Sequence, residues 1–534
     1  MENHLNVKLN RSGTYWVSYQ EPKCEHCGEK MKFCHHSRAR TLIIDGKPQK
    51  IIQCYYQCIN EACTHREYIV AKHPEMIPNK QTSKSTFAKV INQKYHQKLG
   101  KAAIIALNPE LTTTKYYEII NAYRAASRST ADERLSQKYP EGTKVRVSID
   151  GIEVEKGQPG LYTVRTVEDG DLLGIAYLKD ADAEGMYQLL HSIEVKYGII
   201  YVGFVSDRQK SIVAVHDQYY FKVPHQYCIV HYFMNTTKAM LELDQSLQKD
   251  LRSEVRNMSV LKSIKVNLRS EDSPLAENER LVLAETKDAI LAVVNQKKTN
   301  TFELVSLSIY VNLSKAMHWL EYFCTTHTIS THSQKFLMLL THVYSKLKEI
   351  ITEKYSRYQD VGLCNLFLHP IFDAVTNPDV HHPKRAFIAL IKKWETAVKD
   401  TRLPKGVVGV LEKALKFARS YEPGLFLWRK AKLPSHNNGT ETFYHISKGR
   451  YRYGSPNMKI GITMELSGLE ELYIPHNLTP AEIITTLDAI GTPQYRAIRK
   501  EMAGRSEHRS FERGCRAHII ESFKGIFKRL DDEE

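Results

Sequence analysis

The chain has 534 residues, 42% of them hydrophobic and 25% charged, and carries a formal net charge of +15. That length supports several domains with cores of their own, and that charge favours a polyanion, nucleic acid above all, as partner. No apolar run approaches bilayer-spanning length, and the opening Met1-Glu2-Asn3-His4-Leu5 lacks a signal peptide's basic-then-apolar layout, so membrane and secreted classes are set aside.

Residues 1–80 read as a zinc ribbon. Cys24-Glu25-His26-Cys27 and Cys58-Ile59-Asn60-Glu61-Ala62-Cys63 are two short-spaced pairs joined by strand-like runs, Arg40 to Asp45 and Lys50 to Gln57. Each pair closes a knuckle, and two knuckles grip one tetrahedral Zn²⁺. Cys34, Cys54, His26, His36 and His65 are substitute ligands, and a coincidence of reduced, buried cysteines is the bland alternative. Ten cysteines in a chain this long make no disulfide scaffold, which suits a reducing compartment. With no long Lys/Arg cluster of the nuclear-import kind, a prokaryotic cytoplasm is expected.

Residues 81–131 read as helical. Ser83 to Leu99 and Thr114 to Ala126 are helix-length segments around a break at Asn108-Pro109, the second opening after the N-cap chemistry of Thr112-Thr113. The pair fits a helix-turn-helix with Lys115 and Arg124 toward DNA, and fits a plain helical hairpin as well. A polar link, Asp132 to Gly142, leads onward.

The segment 140–234 opens with Val145-Arg146-Val147-Ser148-Ile149-Asp150-Gly151-Ile152-Glu153-Val154, a β-branched run with one carboxylate in its middle. Burying that carboxylate calls for a metal or a basic partner, unless Asp150-Gly151 is a hairpin turn. Strands follow at Leu161 to Val167 and Leu172 to Leu178, a helix at Ala183 to Tyr197 stopped by Gly198, and a strand at Ile199 to Val205. Asp207 comes next, as a second acid or as a helix N-cap, then a short helix, Gln209 to His216, and a strand, Gln226 to Tyr232. Three strands, helix, strand, helix, strand make a mixed sheet whose first and fourth strands can lie side by side.

Residues 235–430 are helical in period, with Phe336, Leu340, Val343, Leu347 and Ile350 on one face. Lys249, Arg252, Arg256, Lys392 and Lys393 there are DNA-facing or merely solvated. In 431–475, Leu433-Pro434-Ser435-His436-Asn437-Asn438-Gly439 turns into a helix with Glu441, His445, Lys448 and Arg452 on one face, a metal ligand followed by phosphate-gripping cations or an ordinary surface ion network. Residues 476–534 read as a basic helical tail with Arg505, Arg509, Arg513, Arg516, Lys528 and Arg529.

These residues resemble the DDE transposases with a ribonuclease-H-like core, of the Mutator-like and bacterial insertion-sequence type. The likeness rests on Asp150 and Asp207 in their strand contexts, Cys228-Ile229-Val230-His231 after the second acid, and Asn437-Asn438-Gly439-Thr440-Glu441 with Lys448 and Arg452 beyond. Glu465, Glu470 and Glu471 stand in reserve for the third acid. The resemblance implies an α/β, ribonuclease-H-like mixed-sheet core with a large helical insertion, preceded by the zinc ribbon and the helical DNA-binding region. It implies Asp150, Asp207 and Glu441 as catalytic ligands of two Mg²⁺ (or Mn²⁺), beside one structural Zn²⁺; Cys228 and His231 match the family's Cys-x-x-His motif and, being only two ligands, read as packing ahead of a second zinc site. The activity implied is cleavage and transfer of double-stranded DNA at the ends of a mobile element, by at least a dimer. A domesticated, non-catalytic DNA-binding regulator and a structure-selective nuclease are the alternatives.

Overall fold

The computed structural model describes residues 3–44, 47–64, 67–153, 160–178, 182–270, 275–327, 332–377, 379–454, 469–475 and 478–504, without the side chains of 448 and 450–454. His65, Glu465 and the basic residues from Arg505 onward lie outside the described residues. The chain is mixed α/β, with two mixed sheets and many helices. It divides into two compact units, Met1–Tyr201 with Asn438–Glu534, and Val202–Asn437.

The first unit opens with β1 (His4–Leu9), β2 (Thr14–Gln20), β3 (Met31–His36), β4 (Arg40–Ile44), β5 (Lys47–Cys58) and β6 (Ile69–Val70). The long β5 organises this sheet, pairing parallel with β2 and antiparallel with β3, β4 and β6. The antiparallel β1–β2 hairpin has no counterpart among the expected elements. Its turn is built by Asn10, whose Oδ1 accepts the N–H groups of Ser12 and Thr14, and by Gly13 at φ 73°.

Three helices follow, α1 (Lys84–Tyr95), α2 (Lys101–Leu107) and α3 (Thr113–Lys138), with Ser83 and Thr112 capping α1 and α3 through their side chains. Helix α2 has no counterpart among the expected elements, and α3 runs on past Ala126 to Lys138. The supposed link from Asp132 is helical because its polar residues have partners. Asp132 is buried against Tyr197 and Lys196, while Arg134 and Lys138 pair with Asp171. A core forms where Phe87, Ile91, Ile119, Ile120 and Tyr123 meet Ile474, Ile483, Leu487, Ile490 and Ile498. The first part of the supposed basic tail is therefore core-forming, led by the helix Pro480–Leu487 with its Thr479–Glu482 capping box.

The second sheet contains β7 (Lys144–Glu153), β8 (Gly160–Thr166), β9 (Leu172–Leu178), β10 (Ile200–Ser206) and β11 (His225–Tyr227), in the order β11-β10-β7-β8-β9. Helix α4 (Ala183–Tyr197) precedes β10, capped by the Asp182 carboxylate at one end and by left-handed Gly198 at the other. At the opening of β10 the Ile200 N–H donates to Thr143 O. Asp150 is mid-strand and faces Thr163 across the β7–β8 ladder, so Asp150-Gly151 is not a turn.

In the second unit α5 (Lys210–Tyr219) leads to β11, which ends at Tyr227, earlier than expected. Cys228 instead caps α6 (Ile229–Asn257), because Ile229, Tyr232, Phe233 and Thr236 repeat at helical spacing and are buried together. Then come α7 (Ser259–Arg269), α8 (Glu277–Val294), α9 (Val305–Thr326), α10 (Gln334–Leu368), α11 (Pro370–Thr376), α12 (Pro383–Val398), α13 (Lys405–Tyr421) and α14 (Trp428–Ala431). Two apolar clusters hold them, one along α6–α10 through Leu251, Leu313 and Leu347, one along α6 and α10–α13 through Tyr232, Phe387 and Trp394. Among the described residues no helix is long and apolar enough to cross a membrane.

Candidate metal centre and acidic site

Cys24, Cys27, Cys58 and Cys63 come together, all four sulfurs within 4.8 Å of one another. Cys24 Sγ lies 3.9 Å from Cys63 Sγ, and Cys27 Sγ lies 3.4 Å from Cys58 Sγ. Four thiolates about 2.3 Å from a tetrahedral Zn²⁺ stand about 3.8 Å apart, so the cage fits that ion. The thiols are free, since a disulfide would need a separation of about 2.05 Å. The N–H groups of Cys27 and His26 aim at Cys24 and draw its thiol down to about 7, whereas burial pushes Cys58 up to about 12. The donor set is thus soft, closed and four-fold, which suits a structural rather than a catalytic ion. Cys34 and Cys54 stay outside the group.

The second feature is the face of β7 and β8 that carries Asp150. Ser148 and Asp150 share that face by strand alternation, and their cross-strand partners are Arg165 and Thr163. Helix α15 (Asn438–Gly454) lies on these residues. Thr440 Oγ1 is 2.6 Å from Ser148 Oγ, and the Tyr444 hydroxyl bonds to Thr163 Oγ1 at 2.9 Å and to Asp150 O at 3.0 Å. Arg165 donates to Gly439 O at 2.6 Å and to Gly170 O, with its guanidinium over the Phe443 ring. Thr440, Phe443, Tyr444 and Ser447 form the buried face of α15. Glu441, half-buried, stands between the two anchoring residues Thr440 and Tyr444. Asp150 is 6% exposed, and its Oδ1 accepts the Gly151 N–H.

Asp207 follows β10. Burial raises its carboxyl pKa, with His231 and the Gln209 N–H pulling the other way. Its main-chain oxygen accepts the Tyr421 hydroxyl at 3.2 Å. Arg208 beside it has φ 65°, a left-handed conformation uncommon outside glycine, and packs its guanidinium over Tyr227 and Tyr421. Cys228 is fully buried, its N–H on Ser206 O and its sulfur accepting the Asn437 N–H.

The remaining expected contacts divide. Lys115 is half-buried at the start of α3, and His445 is exposed on α15, while the side chains of Lys448 and Arg452 lie outside the described residues. Arg124 is a correction. It is 5% exposed and paired with Glu471, so it serves the core and has no open face toward DNA. Glu470 and Glu471, held in reserve for the third acid, are buried in ion pairs with Arg128 and Arg124. Sequence reasoning missed Tyr444, Thr440, Arg165 and Arg208. The first two were signalled by their spacing around Glu441, on the apolar side of its helix.

Comparison with protein-family profiles and with curated proteins finds no match for this chain.

Proposed function

We propose that the protein is a DNA transposase, a metal-dependent polynucleotidyl transferase that cleaves double-stranded DNA at the ends of a mobile element and joins them to a target. The observation that carries this reading is the double anchorage of α15, through Thr440 and Tyr444, onto the strand face that bears Asp150. It holds the helix that carries Glu441 on the strand face of Asp150. The order strand, strand, strand, helix, strand, helix, strand supports a ribonuclease-H-like core, and the long helical run after Asp207 supports its insertion. The four-cysteine cage supports a zinc ribbon as part of the DNA-binding region.

In this reading Asp150, Asp207 and Glu441 would supply hard carboxylate oxygens to two Mg²⁺ or Mn²⁺ ions. Such ions stabilise the attacking and leaving oxygens of an in-line phosphoryl displacement. The chain's own contribution is to hold the acids. β7 buries Asp150, the Thr440 and Tyr444 bonds hold Glu441's helix, and the left-handed backbone of Arg208 follows Asp207. Basic residues would bind phosphate, His445, Lys448 and Arg452 nearest the acids in sequence. Joining two ends calls for at least a dimer on DNA, in a prokaryotic, nucleoid-associated setting.

The test is a strand-cleavage and strand-transfer assay with DNA carrying any inverted repeats that flank the encoding gene. Asp150→Asn, Asp207→Asn and Glu441→Gln are each expected to abolish cleavage and leave DNA binding intact. Cutting without joining would favour a nuclease on the same fold, and binding without cutting would favour a regulator. Cleavage that survives all three substitutions would falsify the assignment.

A further inference from the structure

The β1–β6 sheet carries a group of rings that face solvent, not the cysteine cage. His35 stacks on Tyr55 with centroids 4.5 Å apart and planes 14° from parallel. Tyr68 meets both edge-on, at 5.2 Å and 6.5 Å. His35 and Tyr68 are exposed and Tyr55 is half-buried, so the group is an open platform and not part of a core. Its make-up depends on an irregularity in β3. Lys32 lies opposite Gln57 and His35 opposite Tyr55, with a register shift between Phe33 and His35. Residues three apart on a regular strand point to opposite faces, whereas this bulge brings Lys32 and His35 to the same one.

On the strands that carry His35 and Tyr55 charge leans positive: between Lys30 and Cys58 the sequence holds Lys30, Lys32, Arg38, Arg40, Lys47 and Lys50 against Asp45, while Glu67 adjoins Tyr68. Cations alone would suit any polyanion. Exposed ring faces beside them suit a polyanion whose own flat groups are free to stack, and paired bases inside a duplex are not. We propose that His35, Tyr55 and Tyr68, with Lys32 at their edge, form a stacking platform for unpaired nucleotides of single-stranded DNA. The platform does not depend on Asp150, Asp207 or Glu441, and it stands or falls separately from strand transfer.

The experiment measures fluorescence anisotropy of the full, zinc-loaded chain with a labelled oligothymidine of about twenty nucleotides, the equivalent oligouridine, and a duplex of equal length. Tyr68→Ala and His35→Ala are each expected to weaken oligothymidine binding about tenfold at fixed salt, with duplex binding unchanged within about twofold. Tyr68→Phe, which keeps the ring, is expected to bind like the parent. Lys32→Gln is expected to lower the salt slope by about 0.7. Zinc content and thermal melting of each variant check that the sheet is intact. Alanine variants that bind oligothymidine like the parent would overturn the proposal, and so would equal losses on single strand and duplex. Tighter binding of oligouridine than of oligothymidine would overturn the assignment to DNA.

Discussion

The Tyr444 hydroxyl reaches the main-chain oxygen of Asp150 at 3.0 Å, from a helix nearly three hundred positions further along the chain. The bond joins the strand of one candidate acid to the helix of another, and Tyr444 is almost fully buried where it does so. Tyr444→Phe keeps the ring and deletes the bond, which should cost about 1–2 kcal/mol. A thermal melt should record that loss, and cleavage should fall further than the lost stability explains, with more Mg²⁺ needed for half-maximal rate. Unchanged metal dependence would leave Tyr444 as packing alone.

Thr440 gives an independent check on the same helix. Thr440→Ala removes the hydroxyl contact with Ser148, which is buried with it. Thr440→Ser restores a hydroxyl at the same place. Cleavage that drops with alanine and returns with serine would identify the hydroxyl contact, and equal loss in both would point to the methyl group.

Arg124 and Glu471 test the corrected placement. The pair is buried, and Glu471 also accepts the Tyr95 hydroxyl at 2.9 Å. Arg124→Ala strands a buried carboxylate and should cost about 3–5 kcal/mol. Arg124→Met with Glu471→Leu removes both charges and should recover much of that stability in a denaturant titration. A DNA-contact role would instead show as weakened binding by a folded Arg124→Ala protein.

Asp171 supplies a pH signature. Burial would raise its carboxyl, but the Lys138 ammonium, the Tyr139 hydroxyl and the Arg134 guanidinium outweigh burial and hold it below the usual carboxylate range. A carboxyl depressed in the folded state contributes stability above its unfolded pKa, near 3.9, and loses it as pH falls through the folded value. Asp171→Asn should therefore destabilise the protein at neutral pH, with the difference from the parent shrinking in acid. A pH-independent difference would mean that the asparagine acts through shape.

The cysteine cage predicts proton-linked metal binding. Metal must displace the proton that burial holds on Cys58 up to about 12, whereas Cys24, drawn to about 7 by backbone N–H groups, gives its proton up more easily. Apparent zinc affinity should rise with pH through neutrality. Cys58→Ser should lose zinc and lower the melting temperature of the parent. Stoichiometric zinc by a colorimetric chelator, absent in the variant, is the measurement.

Local chemistry in the sequence carried the parts that local chemistry controls. Spacing alone brought Cys24, Cys27, Cys58 and Cys63 together, and Gly198 stops α4 at the position expected. What the sequence concealed depended on distant partners. The polar run after Asp132 reads as a link until Lys196, Tyr197 and Asp171 arrive to pair with it. Arg124 reads as a DNA contact because Glu471, which neutralises it, lies nearly 350 residues away. Cys228 to His231 reads as strand because β-branched residues continue it, and only packing of Tyr232 and Phe233 among α12 and α13 turns it into helix.

Ile119, Ile120 and Tyr123 are sealed by Ile483, Leu487 and Ile498, which a ribosome adds more than 350 residues later. At about 5–20 residues per second, the α1–α3 helices wait on the order of tens of seconds with that apolar face unsealed. A nascent chain stalled before residue 480 would present it to chaperones and proteases. An excised fragment ending near residue 131 would keep it permanently bare, so expression trials of the amino-terminal region alone should yield aggregate unless the closing helices are supplied in trans.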